Sequence, residues 1–205
     1  MNASSDPPES STALLLVDLQ NDFLHPDGAY ARGGVASPGL AALPERLAPL
    51  AERCRQAGVP VVATLFTVVD GGADRRLLSP HLAALRPFLT GGGFASGSWG
   101  QAVVDELTPV DFTVEKVAYS AFYASRLEFV LRRLGVDRLW VAGIVTNGGV
   151  ASTVRSAHVR DLSIVVISDG CGAFSIEAHD AALGSLATVS EMATIATMTA
   201  KLAST

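Results

Sequence analysis

The apolar run Leu139-Trp140-Val141-Ala142-Gly143-Ile144-Val145 stops abruptly at Thr146-Asn147-Gly148-Gly149, and a helical pattern begins at Val150. An apolar run without polar alternation suits a strand buried on both faces, as in parallel sheets covered by helices. The glycine pair then turns the chain into a helix, whose first N–H groups and positive dipole end face outward. Two other apolar runs end in charge: Leu14-Leu15-Leu16-Val17 in Asp18, and Phe112-Thr113-Val114-Glu115 in Lys116. Ligands of open α/β sheets bind beyond the carboxyl ends of the strands. An acid, a base and an anion-friendly turn are therefore expected around one crevice.

The same alternation runs through the chain. Strands are expected at Ala13–Val17, Val59–Phe66, Phe112–Glu115, Leu139–Val145 and Ile164–Ser168, with a short one near Thr194–Ala196. Helices are expected at Pro44–Ala57, Gln101–Leu107, Ser125–Leu134, Val150–Arg160 and Ile176–Val189. This order predicts an α/β three-layer sandwich, with a mostly parallel sheet of about six strands flanked by helices. Residues 12–205 read as a single domain, and residues 1–11, rich in Ser, Pro and Glu, as a disordered N-terminal lead-in without the features of a signal peptide. Two long connections, Leu19 to Gly39 and Val68 to Trp99, leave the carboxyl ends of strands and are placed to cover the crevice.

Composition narrows the partners. A net charge of −5 leaves no basic footprint for nucleic acid. No apolar segment approaches the roughly 20 residues of a membrane span. Cys54 and Cys171 show no metal-ligand spacing, and a cytoplasmic chain with reduced thiols is the economical reading. His25, His81, His158 and His179 show no i, i+4 pairing, so neither a metal nor another cofactor is expected.

Several segments carry a resemblance to a known family. They are Asp18-Leu19-Gln20-Asn21-Asp22-Phe23, then Lys116 with Tyr119-Ser120-Ala121-Phe122, and Thr146-Asn147 with Val150 and Thr153. Gly97-Ser98-Trp99-Gly100, Asp169-Gly170-Cys171 and Glu177-Ala178-His179 support them. In this order the segments resemble the isochorismatase-like hydrolases, a family that includes cysteine amidases such as nicotinamidase and N-carbamoylsarcosine amidase. The resemblance covers nearly the whole chain, from about Ala13 to Ile195. It implies an Asp–Lys–Cys triad, with Asp18 and Lys116 in the first two roles. The third falls on Gly149, which has no side chain to act as nucleophile. A second departure is Ala118, where the family often has an arginine.

The resemblance further implies a cis peptide between Ile144 and Val145, with the backbone N–H groups of Val145 and Gly149 as an oxyanion hole. Nicotinamidases carry a metal site after the second strand, but Thr67-Val68-Val69-Asp70-Gly71-Gly72 offers no histidine there. Among aromatic candidates for a pocket wall (Phe23, Phe66, Trp99, Tyr119 and Phe122), Tyr119 and Trp99 are favoured, with Phe23 and Asn147 as further substrate contacts. Asp22 reads as a turn or cap residue. Cys171 reads as a small buried filler. Thr146 and Ser120 are hydroxyls without a histidine nearby in sequence.

True isochorismatases also carry glycine at the cysteine position. They cleave a vinyl ether and release pyruvate. By that resemblance the expected reaction is C–O hydrolysis of a small metabolite, with Asp18 as general acid and Lys116 assisting. Two other readings stay open: cysteine-independent C–N hydrolysis, and a degenerate member that binds a ligand without turnover. Family members often form dimers or tetramers, so self-association is expected.

Overall fold

Strand β1 (Thr12–Val17) has no solvent-facing side: all six of its residues are buried. Its side chains alternate between two cores. Leu14 and Leu16 join Leu43, Leu47, Leu50 and Trp140 on one side of the sheet, while Ala13, Leu15 and Val17 join Leu127, Leu131 and Val154 on the other. A strand buried both ways needs helices on both faces, and that requirement sets the architecture. The structure, a computed structural model, describes residues 11–72 and 75–203. The expected disordered lead-in, apart from Ser11, lies outside the described residues.

The main sheet adds β2 (Val61–Phe66), β3 (Phe112–Lys116), β4 (Arg138–Ile144), β5 (Ser163–Gly172) and β6 (Glu191–Ala193). Its strand order is β3-β2-β1-β4-β5-β6, and every pairing is parallel. The three-layer α/β expectation with six strands is borne out. Helices α1 (Leu43–Gln56) and α5 (Ile195–Ala203) cover one face; α2 (Leu127–Arg133), α3 (Ala151–His158) and α4 (Ile176–Leu186) cover the other. The chain builds outward from β1 to β3, then crosses back to place β4 on the other side of β1. The carboxyl ends of β1 and β4 therefore form the switch point at which such sheets bind ligands.

The strands β1 and β4 approach very closely there. Gly143 has a φ of 125° and pairs with Val17; a Cβ at this position would lie 2.2 Å from the Val17 carbonyl oxygen. Only glycine fits both the conformation and the contact.

Three expectations are corrected. No strand forms at Thr194–Ala196: the last strand is Glu191–Ala193, and Ile195–Ala203 is a helix. Its threonines and Ile195 mimic strand composition, but Ile195, Met198 and Leu202 fall on one helical face that packs into the core. Gln101–Leu107 is not a helix apart from a 3-10 turn at Asp105–Leu107. The carbonyls of Gly100 and Ala102 accept instead from the N–H groups of Asp22 (2.8 Å) and Asn21 (3.1 Å), so this segment is spent on holding the loop after β1. The strand expected at Ile164–Ser168 is longer, running from Ser163 to Gly172 with a register shift opposite Val141–Gly143.

Gln20 locks the same region. Its Oε1 accepts from the Phe66 N–H at 2.8 Å, and its Nε2 donates to the carbonyls of Phe66 (3.0 Å) and Gln101 (2.8 Å). A fully buried amide with three such partners fixes the ends of β1 and β2 relative to the long loop. No helix among the described residues is long and apolar enough to cross a membrane.

Candidate active site

Asp18 follows β1 with a φ of 58°, a left-handed conformation that Asp tolerates better than most residues. Its carboxylate is satisfied from both sides. Oδ2 lies 2.6 Å from Lys116 Nζ, and Oδ1 accepts a 2.8 Å hydrogen bond from Thr64 Oγ1. Lys116 is the last residue of β3, two strands away in the sheet, and Thr64 stands on the strand between. The Lys116 ammonium also donates to the carbonyls of Ala118 (3.0 Å) and Tyr119 (3.3 Å) and lies 5.7 Å from the Phe66 ring centre. Ala118, read from the sequence as a departure from the family pattern, contributes its backbone carbonyl.

Both charged groups are buried, and removing a carboxylate from water favours its neutral form. Burial pushes the Asp18 carboxyl above its ordinary range; the Lys116 charge and the hydrogen bonds from Lys116 and Thr64 draw it back without cancelling the rise.

The turn after β4 completes the arrangement. The Ile144–Val145 peptide is cis, and Thr146–Val150 forms one wide π-helical turn before α3. The N–H groups of Gly148 and Val150 both donate to the Val145 carbonyl, at 2.9 and 3.2 Å. Gly149 lies beside the acid, lining the same cavity. A Cβ there would stand 2.9 Å from the Ile144 carbonyl oxygen and 3.1 Å from Asp18 Oδ2.

A cavity of about 190 Å³ opens over these groups. It brings Asp18, Lys116, Val145, Asn147 and Gly149 together with Phe23 and Tyr119. Trp99 is not brought there. It lines a different cavity with Asn21 and His25, its ring 4.9 Å from the His25 ring at 87°, because the Asn21 amide holds the Trp99 backbone on that side of the loop. Phe66 does line the cavity, whereas Phe122 is packed in the core. Tyr30, Arg86 and Phe174 line the cavity as well, and Thr64 braces the acid; none of the four was singled out from sequence. Thr64 could have been found from strand register, since it pairs with Val17 immediately before Asp18. Of the other three, Tyr30 arrives on the short helix Ala29–Arg32 inside the long connection after β1, and Arg86 and Phe174 on loops; none carried a signal.

Residues 12–200 match the model of the isochorismatase domain. The chain belongs to the isochorismatase family. Among its relatives, ureidoacrylate amidohydrolase RutB of Methylobacterium radiotolerans is 33% identical over 191 residues, which span 87% of this chain and 74% of that protein. An isochorismatase of Bacillus subtilis is 32% identical over 179 residues, spanning 86% of this chain and 53% of that protein. A cysteine hydrolase of Pseudomonas syringae pv. phaseolicola superposes with a TM-score of 0.83 at 25% identity, covering 98% of this chain and 99% of the other. Isochorismatase-family relatives thus include enzymes named for C–N hydrolysis and for isochorismate.

In this isochorismatase-family chain the other candidate nucleophiles are placed as follows. Cys171 is buried, with its thiol pushed up to about 12 by burial, so it is not a thiolate near neutral pH. Cys54 is buried in α1. Thr146 Oγ1 lies 2.8 Å from His179 Nδ1, a spatial pairing invisible in sequence, yet Thr146 is fully buried and is not among the residues lining the cavity. Ser120 Oγ is held at 2.7 Å by Ser156 Oγ. Asp22 caps the loop: Oδ1 accepts from the N–H of Ala29 (2.9 Å) and Oδ2 from that of Phe94 (2.6 Å), the role its type and position predict. Among the described residues no cluster of His, Cys, Asp and Glu is placed to hold a metal ion.

Proposed function

We propose that this chain is an isochorismatase-type hydrolase that works without a covalent intermediate and cleaves the vinyl-ether C–O bond of a small enol-pyruvyl metabolite. The observation that carries this reading is the packing at Gly149. Gly149, which this reading takes as the family's nucleophile position, has no side chain, and a Cβ there would meet the Ile144 carbonyl oxygen and the Asp18 carboxylate together. Chemistry at this spot must then come from the acid itself. Asp18, with its pKa raised by burial, suits a proton donor more than an ordinary exposed carboxylate does.

Asp18 gives its proton to the methylene carbon of the enol-pyruvyl group, leaving an oxocarbenium at the ether carbon. Water adds to that carbon and returns a proton to the Asp18–Lys116 pair. The hemiketal then collapses, its C–O bond breaking as the hydroxyl proton passes to the departing oxygen. One water is consumed, and pyruvate and an alcohol are released. Lys116 holds the carboxyl in position throughout, and the backbone N–H groups of Val145 and Gly149 are proposed to face the oxygens on which charge changes. Phe23, Tyr119 and Asn147 are proposed to contact the rest of the substrate.

The test is pyruvate release from isochorismate and from its 2-amino analogue, followed by coupling to lactate dehydrogenase. Pyruvate from at least one, abolished in Asp18→Asn, is expected. No pyruvate from either substrate overturns the reading. A second reading is favoured by the relatives named ureidoacrylate amidohydrolase and by Thr146-Asn147, which is amidase-like. There Asp18 acts as base for a water that attacks a C–N bond. Ammonia released from ureidoacrylate, dependent on Asp18, would establish it instead.

A further inference from the structure

Arg86 enters the cavity from the long connection after β2, just past the short helix Pro80–Leu85. It is the one cation of the cavity without a carboxylate: no Asp or Glu among the described residues forms an ion pair with it, whereas Lys116 is already paired with Asp18. Its guanidinium lies against two aromatic rings, with Cζ 5.8 Å from the Tyr30 ring centre and 5.6 Å from that of Phe174. Those rings are themselves stacked, 5.7 Å apart and within 7° of parallel. Of the five N–H donors an arginine carries, one is used on the Leu85 carbonyl at 2.9 Å and another bonds Tyr30. The buried Nε has no partner.

A buried donor without an acceptor is costly and calls for an explanation. Contacts with ring faces hold the group in place but offer no carboxylate-strength acceptor. Charge points the same way. The chain carries a net charge of −5, yet the charged side chains lining this cavity are Lys116 and Arg86 against Asp18 alone. The cavity is therefore electropositive in an acidic protein, and protonation of Asp18 makes it more so. An anion fits this imbalance, and a planar guanidinium matches a carboxylate through two parallel hydrogen bonds.

We propose that Arg86, held beside the stacked rings of Tyr30 and Phe174, is a substrate-binding residue that takes a carboxylate of the substrate. The enzyme's substrates are then small unsaturated carboxylic acids, and their neutral amides are excluded. This deepens the proposed reading and rests on it for the reaction, since an enol-pyruvyl ether carries its carboxylate beside the carbon that reacts.

The test is a binding measurement, separate from turnover, with benzoate and benzamide as isosteric probes. Isothermal titration calorimetry on the full chain is expected to show benzoate binding at least tenfold more tightly than benzamide. Arg86→Gln is expected to bring the two within twofold, and Arg86→Lys, which keeps charge but loses the fork, to retain part of the preference. Equal affinities in the unmodified protein, or no binding of benzoate, overturn the proposal without recourse to any variant. A full preference surviving in a folded Arg86→Gln also overturns it, by assigning the anion to Lys116. Failure of the vinyl-ether reading registers differently, as absence of pyruvate with benzoate binding intact.

Discussion

Lys116 Nζ lies 2.6 Å from Asp18 Oδ2, although β2 separates the two strands that carry them. The contact works because Lys116 ends its strand level with Phe66, two positions past Thr64, where β1 stops, so its long side chain crosses over β2 beside the Phe66 ring to reach the carboxylate. Both charges are out of water, and each depends on the other. Attraction inside a protein offsets desolvation only when the geometry is good and the remaining polar atoms are bonded. Here Thr64, Ala118 and Tyr119 supply those bonds.

Removing one partner should therefore hurt more than removing both charges. Lys116→Met leaves a buried carboxylate alone and is expected to cost about 3–5 kcal/mol. Asp18→Asn with Lys116→Met buries no charge, and Asn accepts the positive φ of position 18. The double variant should regain at least half of the loss. Urea unfolding at pH 7 checks both; a double variant no more stable than Lys116→Met would count against the pairing.

The direction of the Asp18 shift gives a signed pH dependence. A proton donor must be protonated, so kcat/KM for pyruvate release should fall as pH rises through the Asp18 pKa, with the limb displaced above the ordinary carboxylate range of about 4. Thr64→Val deletes a hydrogen bond that lowers this pKa, so the limb should move to still higher pH. A rate that climbs with pH over the same interval would instead assign Asp18 as a base and favour C–N hydrolysis.

Gly149→Cys tests the packing beside the acid. The added Cβ meets the Ile144 carbonyl oxygen at 2.9 Å, so the turn or Asp18 has to shift. Pyruvate release should drop at least tenfold, with no ammonia from ureidoacrylate. Gain of that amidase activity would show that the site retains the covalent chemistry and needs only its sulfur.

Thr146→Val separates support from nucleophilic attack. Loss of the hydroxyl paired with His179 should cost about 1–3 kcal/mol in stability, as for a buried group deprived of its partner. Turnover should stay above a tenth of the unmodified rate. Complete loss in a variant that still folds would reveal Thr146 as the attacking group.

By itself the sequence determined the layers. The apolar runs around Leu14–Val17 and Leu139–Ile144 allow burial on both faces and little else, and the charges at Asp18 and Lys116 mark strand ends whatever the strand order. Family motifs added the turn at Thr146–Val150 and its cis peptide. Local pattern misled where composition and spacing disagreed, as at Ile195–Ala203, whose β-branched residues hid a helical stripe of Ile195, Met198 and Leu202.

Only the tertiary structure decided which side chains meet. Strand order put Thr64 between the acid and the lysine, and loop packing delivered Tyr30, Arg86 and Phe174 to the cavity while keeping Trp99 away. Such contacts join residues far apart in the chain, with no periodicity to announce them. Their positions follow from how whole elements pack, because a long loop's course is set by the few buried hydrogen bonds, such as those of Gln20 and Asp22, that anchor it.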